Sequence, residues 1–219
     1  MLLNEAKWLG SKLDNFSVTE LSPLVNLGSS TQVFREKGQQ FIYQMIFEPL
    51  NKRGVEVIHV DLEDGEGVDI VGDIFDPKVY GEICSHNPRA VMCANILEHV
   101  DNPAALANLC VDIIPKNGLI FVTVPNDFPY HLAPIDTMFR PTPEELIAIF
   151  PKCRVLFSEV VESETFGQQL IRSPLVFAKH LARMMIPFPT FQHWKAAMQR
   201  NKWLFRNYRT SCVALEKIE

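Results

Sequence analysis

No window of the 219-residue chain reaches about 18 uninterrupted apolar residues, so a membrane-crossing helix is not expected. Cysteine gives no framework either. The five residues (Cys84, Cys93, Cys110, Cys153, Cys212) are odd in number, lack CxxC spacing and sit mostly in apolar runs, where Cys behaves as a small hydrophobe. The start, residues 1–15, has no basic stretch followed by an apolar core, and so does not read as a secretory signal. A reducing cytoplasm is the expected location. The oddest shortage is of acid: between Ile171 and Thr210 there is no Asp or Glu, against eight basic residues. The rest of the chain holds 13 basic and 26 acidic residues. An acidic body with one basic, aromatic segment is not the footprint of a general nucleic-acid binder.

What is present, 47% hydrophobic and 21% charged residues, suits one well-packed domain. Met1 to Ser22 has a helical pattern, and Leu24 to Leu27 is a short apolar run ending at Gly28-Ser29-Ser30-Thr31. Residues 32–53 form a long helix candidate with an expected break near Glu48-Pro49, where proline removes a donor. Val55 to Leu62 and Val68 to Val71 are the next strand candidates. Thr142 is a plausible N-cap for a helix from Pro143, with Glu144 and Glu145 in its first turn. Two closing strands follow, Arg154 to Val161 and Ser211 to Leu215.

The stretch from Arg89 to Asn126 carries the most information. An apolar run (Ala90 to Cys93) ends in Asn95, then come Leu97-Glu98-His99-Val100, a helical segment, Pro115-Lys116-Asn117-Gly118 and a second apolar run closing on Val124-Pro125-Asn126. This is a right-handed βαβ unit of a parallel sheet, in which ligands bind outside the carboxyl ends of the strands. The five strands alternating with crossovers predict an α/β, doubly wound sheet. The Leu97-Glu98-His99-Val100 run and the Lys116-Asn117-Gly118 turn resemble the fourth-to-fifth-strand segment of class I S-adenosylmethionine-dependent methyltransferases, especially the type-11-like group. That resemblance implies a Rossmann-like methyltransferase sheet of seven strands with the last antiparallel, and a helical insertion before it. The expected organisation is an N-terminal cap (1–23), a core (24–162), a basic and aromatic helical insertion (163–209) and a final strand (210–219).

The resemblance also implies S-adenosylmethionine as cofactor. Such a site needs close backbone approach at the first turn, an acidic acceptor for the ribose diol and a polar partner for adenine. The first turn keeps Gly28 of the three glycines usual in the family, with Asn26, Ser30 and Gln32 in the other places. Asn26 removes the usual acidic partner of the amine. Asp61, at the end of the second strand, suits a ribose because an ionised carboxylate only accepts; with Glu63 and Asp64 it also reads as a solvated loop carboxylate. Leu62 lies beside it, Asp73 and Ile74 match the adenine-contacting turn, and Asn95 would lie beneath the methionine moiety. A nicotinamide dinucleotide fold is disfavoured because GxGxxG is missing.

On the acceptor side, the loop after the fifth strand carries Tyr130, His131, Asp136 and Arg140 in a proline-rich run. It resembles the family's H-x-x-P-x-D-x-x-R stretch. His131 is the first candidate for a general base, because imidazole titrates near working pH, with His99 and Asp136 in reserve. Tyr130 and Arg140 are candidate acceptor contacts. Asp136 with Arg140 also reads as a structural ion pair, and Glu98 with His99 as a cap for the helix from Pro103. No metal is expected: Asn95 replaces the first Glu of the family's metal-binding E-x-x-E-H.

The insertion has apolar positions at 175, 176, 178, 181, 182 and 185, with Lys179 and Arg183 on another face. Packed on the core, this is a plain lid helix; otherwise it covers a bulky or anionic acceptor or makes a peripheral membrane contact through 171–210. The expected activity is methyl transfer to an oxygen or nitrogen of a small-molecule, glycan or lipid-linked acceptor, with no nucleic-acid partner and an oligomeric state that sequence does not reveal. The alternative is a catalytically inactive methyltransferase-like binding or regulatory module.

Overall fold

The computed structural model describes residues 1–130, 135–185 and 191–219. Its centre is a seven-stranded sheet of β1 (Leu24–Leu27), β2 (Val57–Asp61), β3 (Ile70–Val71), β4 (Ala90–Ala94), β5 (Leu119–Asp127), β6 (Cys153–Thr165) and β7 (Asn207–Lys217), in the order β3-β2-β1-β4-β5-β7-β6. The first five run parallel, and β7 runs antiparallel to both β5 and β6. This is the doubly wound sheet that the strand pattern predicted, with the antiparallel last strand that the family resemblance implied. The helices are α1 (Leu3–Leu13), α2 (Val18–Leu21), α3 (Gln40–Ile42), α4 (Glu48–Arg53), α5 (Pro77–Ser85), α6 (Pro103–Ile113), α7 (Pro143–Ala148), α8 (Phe166–Arg172), α9 (Pro174–Met185) and α10 (Phe191–Gln199). The last three lie between β6 and β7, where the insertion was expected.

The two faces of the sheet follow from alternation along each strand. On β4, Val91 and Cys93 join a cluster with Val25, Ile120 and Val122, covered by Ile83 of α5 and by Leu106 and Cys110 of α6. Their neighbours Ala90 and Met92 join the opposite cluster with Leu24, Leu119 and Phe121, covered by Leu9 and Leu13 of α1 and by Ile46 and Leu50. Helices therefore cover both faces, and the strands read as continuous apolar runs. Each fully buried Leu or Phe contributes about 1.5–3 kcal/mol relative to an exposed one.

The helix predicted over residues 32–53 differs from expectation at one point. Its break falls at Gln39 (φ −129°, ψ 67°), after a π-helical turn at Phe34–Gly38. Around Glu48-Pro49 the chain stays helical through a second π-helical turn, Tyr43–Phe47, which leads into α4. The α-helical donor to the Met45 carbonyl would have been the nitrogen of Pro49. That carbonyl lies over Gly10 of α1, where an added Cβ would stand 2.1 Å from its oxygen. The proline's missing donor and the glycine's missing side chain thus meet at one close approach. At α7 the Thr142 hydroxyl accepts from Glu145 N at 3.2 Å, and the Glu145 carboxylate accepts from Thr142 N, the expected N-terminal cap.

Candidate functional site

From β1 the chain crosses to β2 and β3 on one side, then returns to β4 on the other, so the topological switch point lies between β1 and β4. A cavity of about 590 Å³ opens there, at the carboxyl ends of the strands. Its wall includes Asn26, Gly28 and Ser30 from the first turn, Asn95, Glu98 and His99 after β4, Glu5 from α1, and Arg35.

The first turn is held on every side. Gly28 has φ +61°, and a Cβ there would come within 2.9 Å of Ile96, so both conformation and space require glycine. Ser30 also has positive φ (54°), and its N–H donates to Asp61 Oδ2 at 2.6 Å. The other oxygen of Asp61 accepts from Glu63 N at 3.0 Å. From below, the buried Arg35 donates to Ser29 O (3.1 Å), Ser30 O (2.5 Å) and Gly67 O (2.7 Å). Its guanidinium stays charged in protein interiors. Burial, reinforced by the Arg35 cation, pushes the His59 imidazole down to about 4, with Asp69 opposing. The ring is therefore neutral, and Asn26 Nδ2 donates to its Nδ1 at 3.0 Å.

The wall after β4 is acidic. Glu5, 1% exposed, accepts from Asn95 Nδ2 (2.6 Å) and Thr123 Oγ1 (2.7 Å) through one oxygen and from Leu2 N (2.9 Å) through the other. Glu98 is equally buried, and its Oε2 has no hydrogen-bond partner among the described residues. Burial pushes the Glu98 carboxyl up to about 8, Glu5 and Asp136 reinforcing the shift while its own backbone contact and Arg140 oppose it. Near neutral pH it holds a proton inside the cavity. His99 Nε2 stands 3.8 Å from Glu98 Oε1, and His99 Nδ1 meets the Ile135 carbonyl. The loop after β5 is stapled to this turn: Thr137 donates from N (2.9 Å) and Oγ1 (3.1 Å) to Glu98 O.

The structure thus gathers Asn26, Gly28, Ser30, Asn95 and His99 around one cavity. Asp61 stands behind the first turn, outside the cavity wall. Leu62 is 69% exposed, and Asp73 is exposed in a local turn that accepts Phe75 N at 2.9 Å; with Ile74 they flank the β2–β3 edge. Asp76, close by, caps α5 by accepting Lys78 N at 2.8 Å. Asp136 and Arg140 form an ion pair at 2.5 Å, both nearly buried, and Tyr130 is exposed. His131 lies outside the described residues. The capping reading of Glu98 and His99 is corrected: α6 is capped by Asn102, which accepts Ala105 N at 3.0 Å, while Glu98 and His99 form a separate 3-10 turn.

Two wall residues escaped the sequence reading. Glu5 lies four residues before Leu9 on the buried stripe of α1, and Arg35 lies seven residues before Ile42 in line with the stripe of Ile42, Ile46 and Leu50. A charge continuing an apolar stripe was the signal in both cases.

This sheet order and cleft define the fold of the class I S-adenosylmethionine-dependent methyltransferases, and solved structures bear this out. A [4+2]-cyclase, SpnF, matches 97% of this chain and 81% of its own at TM-score 0.58 and 14% identity. Coclaurine N-methyltransferase, solved with N-methylheliamine and SAH, matches 96% and 69% at TM-score 0.57 and 14% identity. A SAM-dependent methyltransferase from Archaeoglobus fulgidus matches 97% and 94% at TM-score 0.51 and 14% identity. No family model and no curated protein matches the sequence. At such identities the likeness establishes the fold, and the cyclase shows that the fold hosts more than one chemistry.

Proposed function

We propose that the chain transfers a methyl group from S-adenosylmethionine to an oxygen or nitrogen of a small-molecule acceptor. One observation carries this reading: the cavity at the switch point combines a tight first turn with a buried carboxyl, Glu98, whose second oxygen has no partner among the described residues. The cofactor supplies an electrophilic methyl group on a sulfonium. Gly28 and Ser30 let backbone approach it closely, and Asp61, fixed by Ser30 and Glu63, retains lone pairs for a ribose diol. Asp73, Ile74 and Leu62 serve the adenine side, and Asn26 and Asn95 line the methionine end. Near neutral pH Glu98 faces the acceptor as a protonated hydrogen-bond donor, and only once ionised, above about pH 8, does it take up the proton that an attacking hydroxyl or amine must lose. His99 lies beside it, His131 remains the base proposed on sequence, and Asp136 shapes the loop through Arg140. Tyr130, exposed on the loop after β5, is the acceptor contact in this reading. A glycan or lipid-linked acceptor is the finer form of this proposal.

A second reading, a catalytically silent module, is favoured by one specific feature. Arg35 places a cation beneath the first turn while Asn26 supplies no anion, an arrangement that disfavours a cationic ligand. The deciding experiment is thermal melting with S-adenosylmethionine, S-adenosylhomocysteine and NAD. At 100 times its dissociation constant a ligand adds about 2.7 kcal/mol, or roughly 5–10 °C here. A shift with the first two, lost in Asp61→Asn, supports methyl transfer. No shift with any of the three moves the assignment to the silent module, and a shift with NAD alone overturns both.

A further inference from the structure

The insertion between β6 and β7 ends in a surface that the fold leaves open. The helix α9 is pinned from one side: His180 is buried, its Nε2 meets Asn201 Oδ1 at 2.8 Å, and its ring packs edge-on against Phe166 at 4.8 Å. The arc opposite His180 on a 3.6-residue helix holds Leu175, Ala178 and Ala182, all exposed, with Leu181 on its flank, while the exposed Phe177 and Met184 lie on the side of His180. Leu175 is 65% exposed and Leu181 45%. Beside this arc an apolar groove of about 480 Å³ runs between α8 and the turn after α10, lined by Leu170, Ile171, Phe177 and Phe205. Ile171 and Phe205, 85% and 97% exposed, stand out at its rim. The lid reading, in which this stripe packs on the core, is therefore corrected.

Charge identifies what covers such a surface. Lys179 and Arg183 border the apolar arc and make no ion pair among the described residues, and Lys195, Arg200 and Lys202 follow in a segment without a single acidic residue. An apolar arc bordered by basic side chains is the form of a helix lying in the plane of an anionic lipid surface. We propose that α8, α9 and the turn before β7 bind the surface of an anionic phospholipid bilayer, with an acyl chain seated in the groove at Ile171 and Phe205. Lys179 and Arg183 face the lipid phosphates, while Leu175, Leu181 and Phe205 enter the headgroup boundary. An acidic protein partner would meet the charges but leaves the protruding Ile171 and Phe205 without a counterpart. This inference does not depend on the methyl-transfer reading.

The test is co-sedimentation of the full chain, without cofactor, with phosphatidylcholine–phosphatidylserine vesicles and with pure phosphatidylcholine vesicles. Binding to the anionic vesicles alone, weakened by salt, is the expected result. Each basic side chain near an anionic surface is worth about fivefold, so Lys179→Gln with Arg183→Gln should weaken binding roughly 25-fold. Leu175→Ser with Phe205→Ser should remove binding while the melting temperature stays unchanged, because both side chains are already exposed. Equal binding to both vesicle types, no binding at low salt, binding untouched by these variants, or binding to polyglutamate in place of vesicles would each overturn the proposal.

Discussion

β4 and α9 are both rich in apolar residues and have opposite fates. Every residue from Ala90 to Cys93 is 1% exposed or less, whereas Leu175, Phe177 and Leu181 of α9 are 45–65% exposed. β4 sits between β1 and β5 with helices over both faces; α9 has His180 as its buried anchor and an outer arc with no covering element among the described residues. Apolar composition thus codes for burial only where topology supplies a second layer. Where it does not, the same residues become a surface for something outside the chain.

The contrast can be broken most forcefully in the core. Phe121→Ala, which empties a site packed edge-on by Phe16 at 5.7 Å, should cost roughly 3–5 kcal/mol in denaturant unfolding. Leu175→Ala should stay within about 0.5 kcal/mol. Equal costs would mean that α9 is covered after all.

Glu98 sharpens the comparison, because it is a titrating group placed among buried residues. Its carboxyl is raised from 4.5 to about 8, so the folded chain holds a proton that the unfolded chain releases. Stability should therefore fall, by roughly 4 kcal/mol, as pH rises from 4.5 to 8. His59 works in the opposite sense: depressed from 6.5 to about 4, it should lose stability as pH falls through that window. In Glu98→Gln, unfolding followed against pH should retain the His59 limb alone. A decline toward pH 8 that survives the substitution would assign it elsewhere.

A smaller effect is expected at the first turn. Arg35→Met keeps the length of the stem but leaves the carbonyls of Ser29, Ser30 and Gly67 without a donor, a loss of roughly 2 kcal/mol. If the cation also opposes a sulfonium ligand, the same variant should bind S-adenosylmethionine more tightly than the parent, read as a larger melting shift.

Much of the sheet was legible because alternation and turn chemistry act locally. Ala90 to Cys93, the Asn117-Gly118 turn and the Thr142 cap all announce their elements within a few residues. The candidate site was legible only on the strand ends. Gly28, Ser30, Asn95 and His99 follow apolar runs directly, so their place at a carboxyl end is fixed by the strand before them. Glu5 and Arg35 reach the cavity from helices, and their arrival depends on how those helices pack. The hydrogen bond from Asn95 to Glu5 spans 90 residues of sequence, beyond any local pattern. The helix break was misplaced for a related reason. Pro49 removes a donor, but the π-helical turn absorbs the loss, and Gly10 on another helix accommodates the displaced carbonyl.

Glu5 has a consequence for the order in which the molecule is completed. The helix α1 comes before every strand of the sheet in the chain, yet its Trp8 indole donates to Glu159 on β6 at 2.9 Å, and its apolar face rests on Phe121, Cys212 and Ala214 of β5 and β7. Those strands follow α1 in the chain. Until they are in place α1 has nowhere to dock, and the carboxylate that Asn95 and Thr123 require is missing. An intact cleft therefore certifies that α1 and the strands β5 to β7 have docked on one another.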